Sequence, residues 1–135
     1  MDAARALADL TEISSEIEAA VLLDESGAVV ASTPDDAERA GRIAVGARRL
    51  LERAREAGGR DGEEPRRLEV GTGAGSVFVV RRDGRTLVAT TARTPTAGLV
   101  FYDLERCLKS LEEAPKPKPK PKRTRAPKKQ ADGAA

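Results

Sequence analysis

Ala3, Ala6, Leu7, Leu10 and Ile13 recur at intervals of three and four, with Arg5, Asp9 and Glu12 between them. That spacing predicts a short amphipathic helix over 3–14. From residue 17 the period changes. The run IEAAVLLD, 17–24, is almost continuously apolar, as a strand buried on both faces should be. AVVAST, 28–33, follows after a few residues ending in Gly27, so a hairpin is the economical link. Pro34 closes that strand, and Asp35 is placed to cap a long helix over about 36–57. On a wheel of about 100° per residue, Ile43, Leu50, Leu51, Ala40, Ala44, Ala47 and Ala54 fill one arc that should face a sheet. Gly41 and Val45 interrupt the polar side, either as tolerated surface residues or as a second contact seam.

Glycines and Pro65 mark 58–65 as a loop. RRLEVGT, 66–72, alternates, with Leu68 and Val70 inward and Arg67 and Glu69 outward, as on a half-buried edge strand. SVFVVRR, 76–82, reads as a central strand. RTLVATTA, 85–92, pairs with it across Asp83-Gly84, a dipeptide that suits the two positive φ angles of a type I′ turn. Val100, Leu104, Cys107, Leu108 and Leu111 share a face of a last helix, expected to start near Thr94-Pro95 and run to about 111. The order is α-β-β-α-β-β-β-α, an α+β domain over 1–113. Beyond it, alternating prolines forbid a helix, and 114–135 is expected to be a disordered, Lys/Pro-rich basic segment.

Charge divides the chain at the same place. Of its 24 Lys/Arg and 22 Asp/Glu, eight and one fall in 114–135, so that segment is +7 and the body −5 within a net charge of +2. Lys116, Lys118, Lys120, Lys122, Arg123, Arg125, Lys128 and Lys129 can attract a nucleic acid or an anionic surface weakly, or simply keep the chain solvated; an acidic body cannot follow a phosphate backbone. No aromatic residue accompanies these bases to stack on nucleotides.

Candidate chemistry is sparse. The chain has no histidine and a single cysteine, Cys107, so no internal disulfide can form and the commonest general base and metal ligand are missing. No catalytic residue, metal or cofactor is expected. The acidic pairs at 24–25 and 35–36 suit a turn and a helix start. GTGAGS, 71–76, lies between two strands, whereas a phosphate loop opens a helix, so a hairpin turn explains it better. No apolar run approaches the roughly 20 residues of a membrane span, and the start of the chain has no secretory pattern; the protein is read as cytoplasmic. Phe78, Phe101 and Tyr102 are the only aromatics. The core must therefore be thin and aliphatic, and it needs extra burial from somewhere.

Four stretches, AAVLLDESGAVVAST (19–33), AERAGRIAVGARRLLERA (37–54), LEVGTGAGSVFVVRRDGRTLVAT (68–90) and AGLVFYDLERCLKSL (97–111), resemble the roadblock / dynein light-chain-seven family, above all its stand-alone bacterial type. The resemblance covers about 3–112 and leaves out the basic segment. It implies a five-stranded antiparallel sheet with the long central helix on one face and the two terminal helices on the other. It also implies a homodimer built by pairing the third strand and the long helices, which here would use Gly41, Val45, Arg48, Leu68 and Val70. It further implies a non-enzymatic module that binds or regulates a small Ras-like GTPase. Arg42, Arg49 and Arg53 would lie on the surface of the paired helices, as a docking site or as a solvated helix face. The alternative is a protein that tethers nucleic acid or an anionic surface through its basic segment.

Overall fold

The computed structural model describes residues 2–58 and 65–113; the basic segment with its eight lysines and arginines lies outside the described residues. The elements are α1 (Ala3–Ile13), β1 (Ile17–Leu23), β2 (Val29–Thr33), α2 (Ala37–Gly58), β3 (Arg67–Gly71), β4 (Ser76–Arg82), β5 (Arg85–Thr91) and α3 (Ala97–Glu113). The strands form one antiparallel sheet in the order β2-β1-β5-β4-β3. α1 and α3 cover one face and α2 the other, as expected.

The continuous apolar runs are explained by this sandwich. On β1, Ile17, Ala20 and Leu22 join the α1/α3 side while Val21 and Leu23 join the α2 side. The same division puts Phe78 and Val80 opposite Val79 on β4, and Leu87 and Ala89 opposite Val88 on β5. A strand covered on both faces has no polar positions to alternate with. Phe78 is the largest fully buried side chain, and it meets the edge of Phe101 from α3 with ring centroids 5.1 Å apart.

Local chemistry fixes the ends. Asp2 caps α1, its Oδ1 accepting the Arg5 N–H at 2.8 Å. In the β1–β2 turn the Asp24 carboxylate accepts from the Ser26 N–H, the Ser26 hydroxyl and the Ala28 N–H at 2.7–3.1 Å. These bonds, the Ser26 hydroxyl first, hold its carboxyl below the usual aspartate value. Asp83 and Gly84 have φ of 52° and 80°, the two left-handed residues that an Asp-Gly hairpin requires. At Gly75 a Cβ would collide with the Thr91 carbonyl, so only glycine fits where the β3–β4 turn crosses the end of β5.

Four local expectations change. Asp36, rather than Asp35, caps α2, its Oδ1 accepting the Arg39 N–H at 3.1 Å. α3 starts at Ala97, later than Thr94-Pro95, because Glu16 accepts both the Thr96 N–H (2.9 Å) and its hydroxyl (3.2 Å) and so fixes the first turn. Ile13 shares the helical period of Leu7 and Leu10 but is 76% exposed; the Ser14 N–H closes on the Leu10 carbonyl there and the chain leaves the helix. On α2, Ala40, Ala44, Ala47 and Leu51 are buried, whereas Ile43, Leu50 and Ala54 at the margin of the same arc are only half-buried.

Candidate interaction surface

β3 is an edge strand. Among the described residues it pairs with β4 alone, from Arg67 opposite Val80 to Gly71 opposite Ser76. The Arg66 carbonyl accepts from the Arg81 N–H, which sets the parity of the ladder. The backbone groups of Arg67, Glu69 and Gly71 therefore point away from β4, toward the open edge. Leu68 and Val70 turn to the α2 face, where both stay half-buried.

They stay so because α2 is set off-centre. It packs over β2, β1 and β5 and leaves the β4–β3 half of that face thinly covered. The uncovered strip is an open depression of about 340 Å³ bounded by Arg39, Arg42 and Ile43 on α2, by Val77 and Thr90 on the sheet, and by the β3–β4 turn. Ile43 lies one side of this strip, and Leu50, two turns on, shares its helical face. Thr90 Oγ1 is the buried side-chain oxygen that, among the described residues, lacks a hydrogen-bond partner, and it belongs to this strip.

The residues singled out as one dimer seam do not lie together. Leu68 and Val70 stand on the β3 margin. Arg48 sits on the opposite flank of α2, where its guanidinium donates to the Gly27 carbonyl at 2.5 Å and its side chain covers the β1–β2 turn. Gly41 and Val45 share that flank by helical spacing: nothing approaches within 4 Å of a Cβ built on Gly41, and Val45 is 40% exposed. The five residues thus lie on two margins of the α2 face, Gly41, Val45 and Arg48 on one and Leu68 and Val70 on the other. A twofold axis perpendicular to the sheet at the β3 edge would bring the Ile43–Leu50 flank toward a second copy and turn the Gly41–Val45 flank away. The sequence hid this because Ile43 and Leu50 looked like ordinary core positions; their half-burial is visible only once α2 is placed.

Arg42, Arg49 and Arg53 do share a stripe on the outer surface of α2, and all three are exposed. Arg42 stands 3.8 Å from Glu38, and Arg53 4.0 Å from Glu56, surface pairs that restrain these side chains only weakly. Cys107, the lone thiol, is buried beneath α1, with its Sγ 3.9 Å from the Ala6 carbonyl. Burial, reinforced by Asp9, pushes its pKa up to about 11, so the thiol is neutral and a poor nucleophile near neutral pH. Among the described residues no group of His, Cys, Asp and Glu is arranged to hold a metal, and no helix is long and apolar enough to cross a membrane.

An α+β sheet domain whose edge strands β2 and β3 each have one partner among the described residues, with a half-covered face beside β3, leaves surface for contact with another polypeptide. Solved structures place the fold. A roadblock/LC7 domain from Streptomyces avermitilis is similar at 26% identity over 83% of this chain and 96% of its own, with a TM-score of 0.74. MglB of Myxococcus xanthus is similar at 16% identity over 81% of this chain and 84% of its own, with a TM-score of 0.63. The gliding protein MglB of Thermus thermophilus has 18% identity over the same shares and a TM-score of 0.60. No family model and no curated relative matches the chain. The chain has the roadblock fold, and these likenesses support the roadblock-domain family as its place.

Proposed function

We propose that this protein is a non-enzymatic, homodimeric interaction module of the cytoplasm that binds or regulates a small Ras-like GTPase. The observation that carries the reading is the unpaired β3 edge beside the uncovered strip of the α2 face. An edge that exposes backbone groups is normally covered or extended in a stable protein. A second copy related by a twofold axis at β3 would continue the sheet and bury Leu68, Val70, Ile43 and Leu50 together. The GTPase enters through the resemblance to the roadblock family, whose members serve such partners. In the dimer the two α2 helices would lie side by side, and the Arg42, Arg49 and Arg53 stripes of both copies would form one basic surface.

The test uses the purified full-length protein and a small Ras-like GTPase encoded near it, loaded in turn with GDP and with a non-hydrolysable GTP analogue. Complex formation by size-exclusion chromatography with light scattering is expected, with a preference for one nucleotide state. Replacing Arg42, Arg49 and Arg53 together by Glu should weaken the complex about tenfold or more, as for the loss of charge-assisted contacts, and Arg49→Glu/Arg53→Glu, which spares Arg42 at the border of the strip, should weaken it while leaving the oligomeric state unchanged. Equal binding by the triple variant would remove the arginine stripe from the account. Absence of binding in both nucleotide states to every such GTPase would remove the GTPase.

A further inference from the structure

The side chains of β3 restrict how a second copy can pair with it. Glu69 stands exposed on the α1/α3 side of the strand, opposite Phe78 of β4, and has no hydrogen-bond or ion-pair partner among the described residues. Arg67 lies two residues earlier and therefore on the same side. Its guanidinium lies over the Phe101 ring at 5.1 Å and donates from Nε and Nη2 to Glu105 Oε2, each at 2.6 Å. That contact uses one edge of the guanidinium. Nη1 has no partner among the described residues, and an arginine carries donors enough for two carboxylates.

A twofold axis perpendicular to the sheet sets one residue of β3 opposite itself, and the new hydrogen-bonded pairs must come from Arg67, Glu69 and Gly71, whose backbone groups face the open edge. An axis at Glu69 sets two carboxylates directly opposite each other, and an axis at Arg67 does the same with two guanidiniums; both are destabilising. An axis at Val70 leaves Glu69 opposite Gly71. It then carries the ladder from Arg67 to Gly73, inside the turn that the Thr72 N–H closes on the Gly75 carbonyl at 2.7 Å. An axis at Leu68 avoids all of this. Arg67 of each copy then stands opposite Glu69 of the other, so the attraction is made twice. On the α2 face the two Leu68 side chains meet at the axis, and Val70 lies against the aliphatic stem of Arg66 from the other copy.

We propose that β3 joins a second copy in a single register, centred on Leu68, in which Arg67 of each chain pairs with Glu69 of the other. The inference rests on the homodimer reading and adds to it the contact that selects this chain as its own partner. Each Arg67 bridges Glu105 of its own chain and Glu69 of the second copy, and so ties the sheet edge to α3. Apolar burial of Leu68 and Val70 does not by itself fix the register, because a strand can slip by two residues and keep the same face inward. The charges supply what the apolar side chains lack. A slipped copy, or a related strand with two acids or two bases at these positions, meets like charge instead.

The test places single cysteines in the full-length protein, Leu68→Cys, Glu69→Cys and Val70→Cys, and follows covalent dimer formation under mild oxidation by non-reducing electrophoresis. The wild type, whose Cys107 is buried, is the blank. A non-hydrogen-bonded pair on the axis has its Cα atoms about 4.5 Å apart, within the span of a disulfide. A residue one position off the axis meets its own copy only on the diagonal, at about 7–8 Å or more, which a disulfide does not bridge. Leu68→Cys should therefore link, and the other two should not. Glu69→Gln reads the charge pair separately, since it leaves the contacts of Arg67 with Phe101 and Glu105 in place. By sedimentation equilibrium at low salt it should raise the dimer Kd about threefold or more, whereas in a register centred on Glu69 it would lower it. If Leu68→Cys lacks a thermal transition, the Glu69→Gln result decides. A wild-type dimer that links through Glu69→Cys or Val70→Cys, that links at none of the three, or that Glu69→Gln leaves unchanged or tightens, overturns the register and leaves the homodimer standing. A wild-type monomer removes the homodimer and the register together.

Discussion

Cys107 shows how one residue can be right in type and inert in chemistry. Its helical spacing with Leu104, Leu108 and Leu111 marks it as a core position, and the structure buries it under α1 with a pKa near 11. The sign of the consequence follows. A thiol that ionises at about 11 when folded, against the usual 9.0, adds stability below pH 9 that is lost as the pH rises toward 11. Thermal melts of wild type and Cys107→Ala at pH 8 and pH 10.5 should therefore show a larger alkaline loss for the wild type. A disulfide-exchange reagent should label the thiol only at the rate of unfolding; immediate labelling at neutral pH would contradict its burial. Arg48 makes the complementary point. Its hydrogen bond to the Gly27 carbonyl spans 21 residues of sequence and has no signature in local spacing.

At the level of elements, most of the fold was legible in the sequence. Period-three-and-four spacing located α1, α2 and α3; the continuous apolar runs located β1, β4 and β5; and Asp-Gly placed the β4–β5 turn. These signals are local, and the boundaries came within a few residues. What was not legible depends on contacts between distant parts. The start of α3 is fixed by Glu16, 80 residues away from Thr96 in the chain, so Thr94-Pro95 was the natural but mistaken choice. Glu16→Ala should remove both bonds and destabilise the protein by about 1–2 kcal/mol, a typical cost for loss of a charged cap. Urea denaturation checks this, with Glu12→Ala on the exposed side of α1 as the comparison. An unchanged midpoint would mean that the link between Glu16 and Thr96 contributes nothing. The candidate surface was half legible for the same reason. Alternation in 66–72 identified an edge strand, but which flank of α2 faces that edge depends on how α2 lies across the sheet, and wheel positions alone cannot order its two flanks.

The whole molecule is a thin aliphatic sandwich with two unequal margins. At the β2 margin α1 covers one face of the strand and Arg48 secures the turn. At the β3 margin the backbone of Arg67, Glu69 and Gly71 is open, and four apolar side chains are only partly covered. The central claim is that a second copy covers this margin. Sedimentation equilibrium on the full-length protein, on Leu68→Asp/Val70→Asp and on Gly41→Glu tests it most directly. The wild type should be a dimer at micromolar concentration. The β3 variant should be a folded monomer, with dimerisation weakened about a hundredfold or more by two buried carboxylates, and Gly41→Glu should remain a dimer. A wild-type monomer, or a dimer broken by Gly41→Glu and untouched by the β3 substitutions, would contradict the account.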